Sequence, residues 1–123
     1  MLKSLKRRMK TNYCNLKIGR YKKKATIKDL EIRTPQGREK IYLKVRSLDG
    51  QVLTINEIWY KNNENKLVTQ GLWVELDSDG QLYPTSTLAR LLLFMGISSI
   101  GELIDKEVTL KPKSTGFLCV ETF

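Results

Sequence analysis

The sequence predicts a mainly β fold, an antiparallel barrel of five strands with one helix between the third and fourth strands. Three observations support this. Apolar and polar residues alternate in several short runs, tight-turn signals separate the runs, and one later stretch has helical spacing. At 123 residues, with 41% hydrophobic and 28% charged side chains, the chain is the right size and composition for one folded domain.

The first three strands are predicted to form a meander. Alternation in residues 25–33 changes phase between Ile27 and Leu30, which indicates a bulge. Residues 41–45 alternate strictly and end before Asp49-Gly50, a strong hairpin signal. Apolar residues resume at 53–60, so the third strand is expected there, up to a polar loop at 62–65.

The second half is predicted to contain the helix and the last two strands. Residues 67–76 are compatible with a short hairpin broken at Gly71 or with an irregular excursion. A helix is expected over 86–95, capped by Thr85 or Ser86 and ended by Gly96. Strands then follow at 108–110 and 117–121.

The aromatic residues divide between the expected core and the expected surface. Phe94 and Phe117 are predicted to lie in the core, and Trp73 is expected to be buried, with a position that covers the binding groove as the alternative. Trp59 and Tyr60 are adjacent, so they point to opposite sides of a strand. A phase continued from Ile55 turns Trp59 inward, whereas a bulge near residue 57 turns Tyr60 inward.

The positive charge is concentrated in one segment. The first 24 residues carry ten Lys and Arg and no acid, whereas the remaining 12 Lys and Arg face 13 Asp and Glu, so the net charge of +9 comes from that segment. We interpret residues 1–17 as a basic arm and residues 18–123 as the folded domain. Such an arm attracts polyanions, of which nucleic acid is the commonest for a small protein.

Several classes of function find no support in the residues. The chain has no histidine, which removes His-based triads and metal sites, and it has no phosphate-binding glycine motif. Asp77 and Asp79 precede Gly80 as in a polar turn and lack the ligands that complete a calcium loop. We therefore expect no enzyme activity, cofactor or metal.

The cysteines and apolar runs predict a cytoplasmic protein without a membrane span. Cys14 and Cys119 have no metal-type spacing and are expected to be reduced thiols, with a disulfide between them as the alternative. Residues 1–10 alternate leucine with basic residues, unlike a secretory signal. The longest apolar run, residues 91–95, is far shorter than the roughly 20 residues of a membrane span.

The strongest candidate binding residues share the outer face of the second strand. Tyr42, Lys44 and Arg46 alternate with the apolar residues of that strand, which puts an aromatic ring and two cations on one side. Single-strand binding needs both cations for phosphates and aromatic faces for bases. The further candidates flank the strand or lie in the basic segment: Tyr60, Tyr21, Arg20, Lys22, Lys23, Lys24, Arg7 and Arg8.

Taken together, several segments resemble small OB-fold single-stranded DNA-binding proteins of phages and archaeal viruses or mobile elements. The resemblance covers residues 18–121 and rests on the segments 18–21, 25–29, 49–50, 88–97 and 103–110. It implies non-enzymatic binding of single-stranded nucleic acid, DNA above RNA, on the face of strands two and three. It also implies replication or virion proteins as partners and a host cytoplasm as the location. Asp105 departs from the family, which has glycine before its Lys-Glu-Val phrase.

Two other functions compete with nucleic-acid binding. The barrel of a structural or adaptor protein, such as a virion or replisome component, would pack against another protein, with the arm as its tether. A membrane-surface protein would use Leu2, Leu5 and Met9, which share one face of a short basic helix. Three apolar anchors predict only weak membrane binding.

Overall fold

The computed structural model describes residues 22–123, which form one curled β-sheet around one hydrophobic core. The strands are β1 (Lys23–Arg33), β2 (Lys40–Ser47), β3 (Val52–Ile55), β4 (Glu57–Lys61), β5 (Leu67–Gly71), β6 (Glu107–Pro112) and β7 (Leu118–Glu121). The helix α1 (Thr87–Met95) follows β5, and 3₁₀ turns lie at Pro35–Gly37 and Ile100–Leu103. The neighbour order in the sheet is β3-β2-β1-β6-β7-β4-β5.

The β1–β2–β3 meander agrees with the prediction. The register of β1 against β2 shifts between Ile27 and Asp29, where the phase change in the sequence indicated a bulge. Gly50 has a φ of 87° in the turn between β2 and β3, a conformation that glycine adopts without strain. Ile41 is buried and Lys44 lies on the opposite face of β2, as strict alternation requires.

The prediction of five antiparallel strands in a closed barrel is wrong, because the sheet is open and has seven strands. The expected third strand is split at Asn56: Ile55 faces the core before the break and Ile58 faces it afterwards, so the alternation changes phase by one residue. β3 pairs with β2, whereas β4 leaves that ladder and pairs with β5 and β7. The sequence allowed either a hairpin or an irregular excursion for residues 67–76. This segment begins as a hairpin, because β5 pairs with β4.

The sheet is also mixed, because β4 and β7 run parallel. The chain reverses direction at each pairing from β3 through β2, β1 and β6 to β7, so β7 points the same way as β3. β4 continues in the direction of β3 and therefore meets β7 in parallel. Outside the named strands, an isolated bridge from Lys40 to Trp73 joins the chain after β5 to β2.

The helix matches its prediction and packs one face on the sheet. Ser86 Oγ accepts a hydrogen bond from the Ala89 backbone N–H at 3.2 Å, and Gly96 ends the helix with a φ of 73°. Leu88, Leu91 and Leu92 are buried with the inward residues of the strands. Phe94 and Phe117 are corrections, since they are 50% and 74% exposed. Phe94 lies on the side of the helix away from the core, and Phe117 lies in the turn before β7.

Asp105 has a positive φ of 70°, in the left-handed region that favours glycine. This is the position at which the resembled family has glycine. The Asp105 carboxylate lies 3.5 Å from Lys28 Nζ, and its backbone N–H donates to the Ile27 carbonyl at 2.7 Å. The backbone at this position therefore suits glycine although the side chain differs. No helix among residues 22–123 is long and apolar enough to cross a membrane.

Candidate functional site

The outer face of β2 carries the three predicted residues, and strand pairing adds neighbours to them. Tyr42, Lys44 and Arg46 alternate with buried Ile41, Leu43 and Val45. In the β1–β2 ladder Glu31 lies opposite Tyr42 and Arg33 lies opposite Lys40. Residues opposite each other in an antiparallel pair point to the same side, so these side chains form one surface. We call it the β2 face: Glu31, Arg33, Arg38, Lys40, Tyr42, Lys44, Arg46 and Trp73.

Cations lie over the two aromatic rings of the β2 face. The Arg33 guanidinium is 4.5 Å from the Tyr42 ring centroid. Trp73 has two cations over its ring, the Arg38 guanidinium at 4.4 Å and Lys40 Nζ at 4.7 Å. Lys40 also lies 6.0 Å from the Tyr42 centroid, so it links the two rings. Cations and rings therefore alternate along the surface.

A glycine makes room for the Lys40–Trp73 contact. A Cβ atom on Gly71 would lie 2.6 Å from Lys40 Cε and 3.0 Å from Trp73 Nε1, so both side chains would have to shift. Backbone hydrogen bonds hold the segment after Gly71 against the start of β2: the Ile41 N–H donates to the Leu72 carbonyl at 2.9 Å, and the Val74 N–H donates to the Glu39 carbonyl at 3.0 Å. Trp73 is thus fixed beside β2.

Carboxylates pair with most cations of the β2 face. Glu31 accepts two hydrogen bonds from Arg33, at 2.9 and 3.0 Å, and lies 3.2 Å from Lys44 Nζ. Arg33 and then Lys44 lower the pKa of Glu31 to about 2, because both stabilise its ionised form. Glu75 lies 3.4 Å from Arg38. Among the described residues, Lys40 and Arg46 have no ion-pair partner.

A cavity of about 390 Å³ separates β3 from the β6–β7 turn. Its lining includes Thr54, Asn56, Lys113 and Phe117. Thr54 pairs with Lys44, so the cavity adjoins the β2 face. Lys113 Nζ donates to Glu57 Oε1 at 2.8 Å. Burial opposes ionisation of Glu57, but the Lys113 ammonium outweighs it and lowers the pKa of Glu57.

Cys119 lies behind this ion pair and is a poor candidate for a reactive thiol. Its side chain is fully buried, and its Sγ lies 3.6 Å from Glu57 Oε1. Burial, followed by the Glu57 charge, raises the pKa of Cys119 to about 12. A thiol that stays protonated is a poor nucleophile. The alternative disulfide involves Cys14, which lies outside the described residues. Among residues 22–123, no group of His, Cys, Asp and Glu could hold a metal ion.

Tyr60, a predicted site residue, does not join the β2 face. It lies on the core side of β4, its hydroxyl donates to Gln70 Oε1 at 2.8 Å, and Arg90 covers its ring at 4.5 Å. The alternative with a phase change near residue 57 is therefore the one observed, and Trp59 takes the outer face beside Lys111.

The three predicted lysines lie around the start of β1, each next to a carboxylate. Lys22 is 2.7 Å from Glu121, whereas Lys23 and Lys24 are 3.9 and 3.8 Å from Asp49 and Glu107. The remaining candidates lie outside the described residues: Arg7, Arg8, Arg20 and Tyr21.

Sequence reasoning did not assign Glu31, Arg33, Arg38 or Lys40 to the binding surface, and it favoured burial for Trp73. Alternation alone could have placed Arg33 and Lys40 there, because they share the outward phase of Glu31 and Tyr42. Trp73 and Arg38 join the face through the pairing of Leu72–Val74 with the start of β2, which no local pattern reveals. Comparisons with family models, with curated proteins and with solved structures each find no match.

Proposed function

We propose that the protein binds single-stranded nucleic acid, with DNA as the first candidate and little sequence preference, and that it does so without catalysis. One observation carries the proposal: on the β2 face, cations and aromatic rings alternate around Tyr42 and Trp73. Bases stack on aromatic rings and on guanidinium planes, while cations attract phosphates. Bases in a duplex are already stacked, so this surface suits a single strand.

The course of the sheet supports the same proposal. β3 and β4 are separated by Asn56 alone and act as one strand bent at that residue. With these two taken together, the chain resembles an OB fold whose third strand is broken and whose sheet remains open. OB folds bind oligonucleotides on strands two and three, between the loops after strands one and four. Those loops correspond here to the Pro35–Gly37 turn and the β6–β7 turn.

The ion pairs of the β2 face do not prevent phosphate binding. Exposed ion pairs generally contribute about 0–1 kcal/mol in proteins, whereas one stacked base contributes about 1–3 kcal/mol. Stacking therefore outweighs the disruption of one surface pair. Lys40 and Arg46 can contact phosphate without breaking any ion pair seen among residues 22–123. The basic arm, including Arg7 and Arg8, adds long-range attraction.

The proposal is tested with a short, fluorescently labelled oligothymidylate. Tyr42→Ala should weaken binding by about 1–3 kcal/mol and leave the salt dependence nearly unchanged, because stacking releases no counterions. Arg46→Ala should also weaken binding, and it should reduce the log–log salt slope by about 0.7 for each phosphate that Arg46 neutralises.

Phe94→Ala on α1 is the matched control, since it removes an exposed ring far along the chain from β2. It should leave oligonucleotide affinity unchanged. Tyr42→Phe should keep nearly full affinity because it retains the ring. Equal affinities of Tyr42→Ala and the unchanged protein would refute the β2 face as the binding surface.

A further inference from the structure

The helix α1 has a second apolar side that the core does not use. Leu88, Leu91 and Leu92 face the sheet, whereas Leu93 and Phe94 are 72% and 50% exposed. Clustered exposed apolar side chains mark interaction surfaces more often than single ones do.

These side chains belong to a concave surface. A cavity of about 370 Å³ lies beside Leu93 and Phe94. We call its lining the α1 surface: Tyr60, Lys61, Arg90, Leu93, Phe94, Thr122 and Phe123. Phe123 is 42% exposed and lies 5.5 Å from Lys111 Nζ, so a third cation borders the surface. The centre of the surface is therefore apolar and its border is cationic.

The charges around the α1 surface are uncompensated within the described chain. Lys61, Arg90 and Lys111 have no ion-pair partner among residues 22–123, and no acid belongs to the lining. By contrast, most cations of the β2 face have an ion-pair partner. Opposite potentials attract across an interface, so a partner with negative charge fits here.

We propose that the α1 surface docks a short acidic segment of another protein, one that also carries aromatic or aliphatic side chains. Its apolar side chains would pack against Leu93, Phe94 and Phe123, and its carboxylates would pair with Lys61 and Arg90. This partner is complementary to both the apolar centre and the cationic border of the surface. Burial of its apolar side chains provides affinity, and its charge provides orientation. The inference is independent of the proposed nucleic-acid binding.

Two other occupants fit less well. A nucleic acid stacks its bases on flat rings, but the most exposed apolar residue of the α1 surface, Leu93, offers no stacking plane. A second copy bound through the same surface would bring Arg90 and Lys61 near their own counterparts, since a two-fold interface repeats each patch. Like charges across such an interface repel.

The test uses a fluorescein-labelled peptide in which aspartates alternate with leucines and phenylalanines. Fluorescence polarisation should show saturable binding that weakens as salt rises. Arg90→Glu should reduce affinity at least tenfold, and Phe94→Ala at least fivefold. Arg46→Glu on β2 is the matched charge reversal and should leave peptide affinity unchanged. A peptide with lysines in place of the aspartates should not bind.

Any of four results would overturn the proposal. The first is that the acidic peptide does not bind, and the second is that Arg46→Glu weakens peptide binding as much as Arg90→Glu does. The third is that oligothymidylate shifts the amide resonances of Leu93 and Phe94, which would make the α1 surface a nucleic-acid contact. The fourth is that sedimentation shows a dimer that Phe94→Ala dissociates, which would make the α1 surface a self-association surface. Tyr42→Ala should keep peptide binding while losing oligonucleotide binding, so the two proposals fail separately.

Discussion

The β2 face and the α1 surface both combine cations with apolar rings, but their charges are balanced differently. On the β2 face Glu31 binds Arg33 and Lys44, and cations cover the rings at 4.4 to 4.7 Å. Around α1, Lys61 and Lys111 have no ion-pair partner in the described chain. The first surface is ordered by its own ion pairs, whereas the cations around the second form no ion pair among the described residues.

The difference indicates what each surface can recognise. Preorganised guanidinium groups and rings suit a ligand with flat bases and regularly spaced charge. An apolar centre with a cationic border suits a ligand that brings both carboxylates and hydrophobic side chains. The two proposals together imply that the protein would hold a nucleic-acid strand and a partner protein at the same time.

The largest expected effect concerns the two sides of α1. Leu91→Ala should lower the free energy of unfolding by about 2–5 kcal/mol, because removing this fully buried side chain leaves a cavity in the core. Leu93→Ala should change it by no more than about 0.5 kcal/mol, since its side chain is exposed. Urea unfolding measures both. Similar decreases would mean that Leu93 is part of the core and that the α1 surface is not free.

The next largest effect is expected from Trp73→Ala, which should weaken oligothymidylate binding by about 1–3 kcal/mol. The chain has two tryptophans, so Trp59→Phe leaves Trp73 as the single fluorophore and Trp73→Phe leaves Trp59. Oligothymidylate should quench the first variant and not the second. Quenching of Trp59 alone would move the binding surface from β2 to β4.

The smallest effect is expected from Glu31→Gln, which frees Arg33 and Lys44 for phosphates. Oligonucleotide affinity should rise by less than about 1 kcal/mol, and its salt dependence should steepen. Glu64→Gln is the matched control, because Glu64 pairs with Lys66 at 3.5 Å in the loop between β4 and β5. Weaker binding of Glu31→Gln would show that this carboxylate orders the face more than it competes for it.

Acidification distinguishes the effect of Glu31→Gln on binding from the effect of a general change in charge. The pKa of Glu31 is about 2, so the carboxylate remains ionised at pH 4, where ordinary glutamates are mostly protonated. The stability that its pairing contributes is present above the ordinary glutamate pKa and is lost as the pH falls toward 2. The affinity difference between Glu31→Gln and the unchanged protein should therefore be the same at pH 4 as at pH 7.

Local sequence patterns predicted most of the elements. The alternation of residues 41–45, the Asp49-Gly50 turn and the leucine spacing of α1 all correspond to observed structure. The outward position of Tyr42, Lys44 and Arg46 followed from the two-residue period of β2. The core positions predicted for Phe94 and Phe117 were wrong, because hydrophobicity alone does not tell which side of a helix or turn meets the sheet.

By itself, the sequence determined the class of the fold and the chemistry available to it. Its periods set which side chains point out of β2, and its lack of histidine limits the reactive groups. Tertiary structure decided between the two strand phases that the sequence allowed near residue 57, and it alone decided that β4 meets β7 in parallel and that Trp73 lies beside Lys40. These features depend on contacts between segments far apart in the chain, which local propensity and periodicity do not encode.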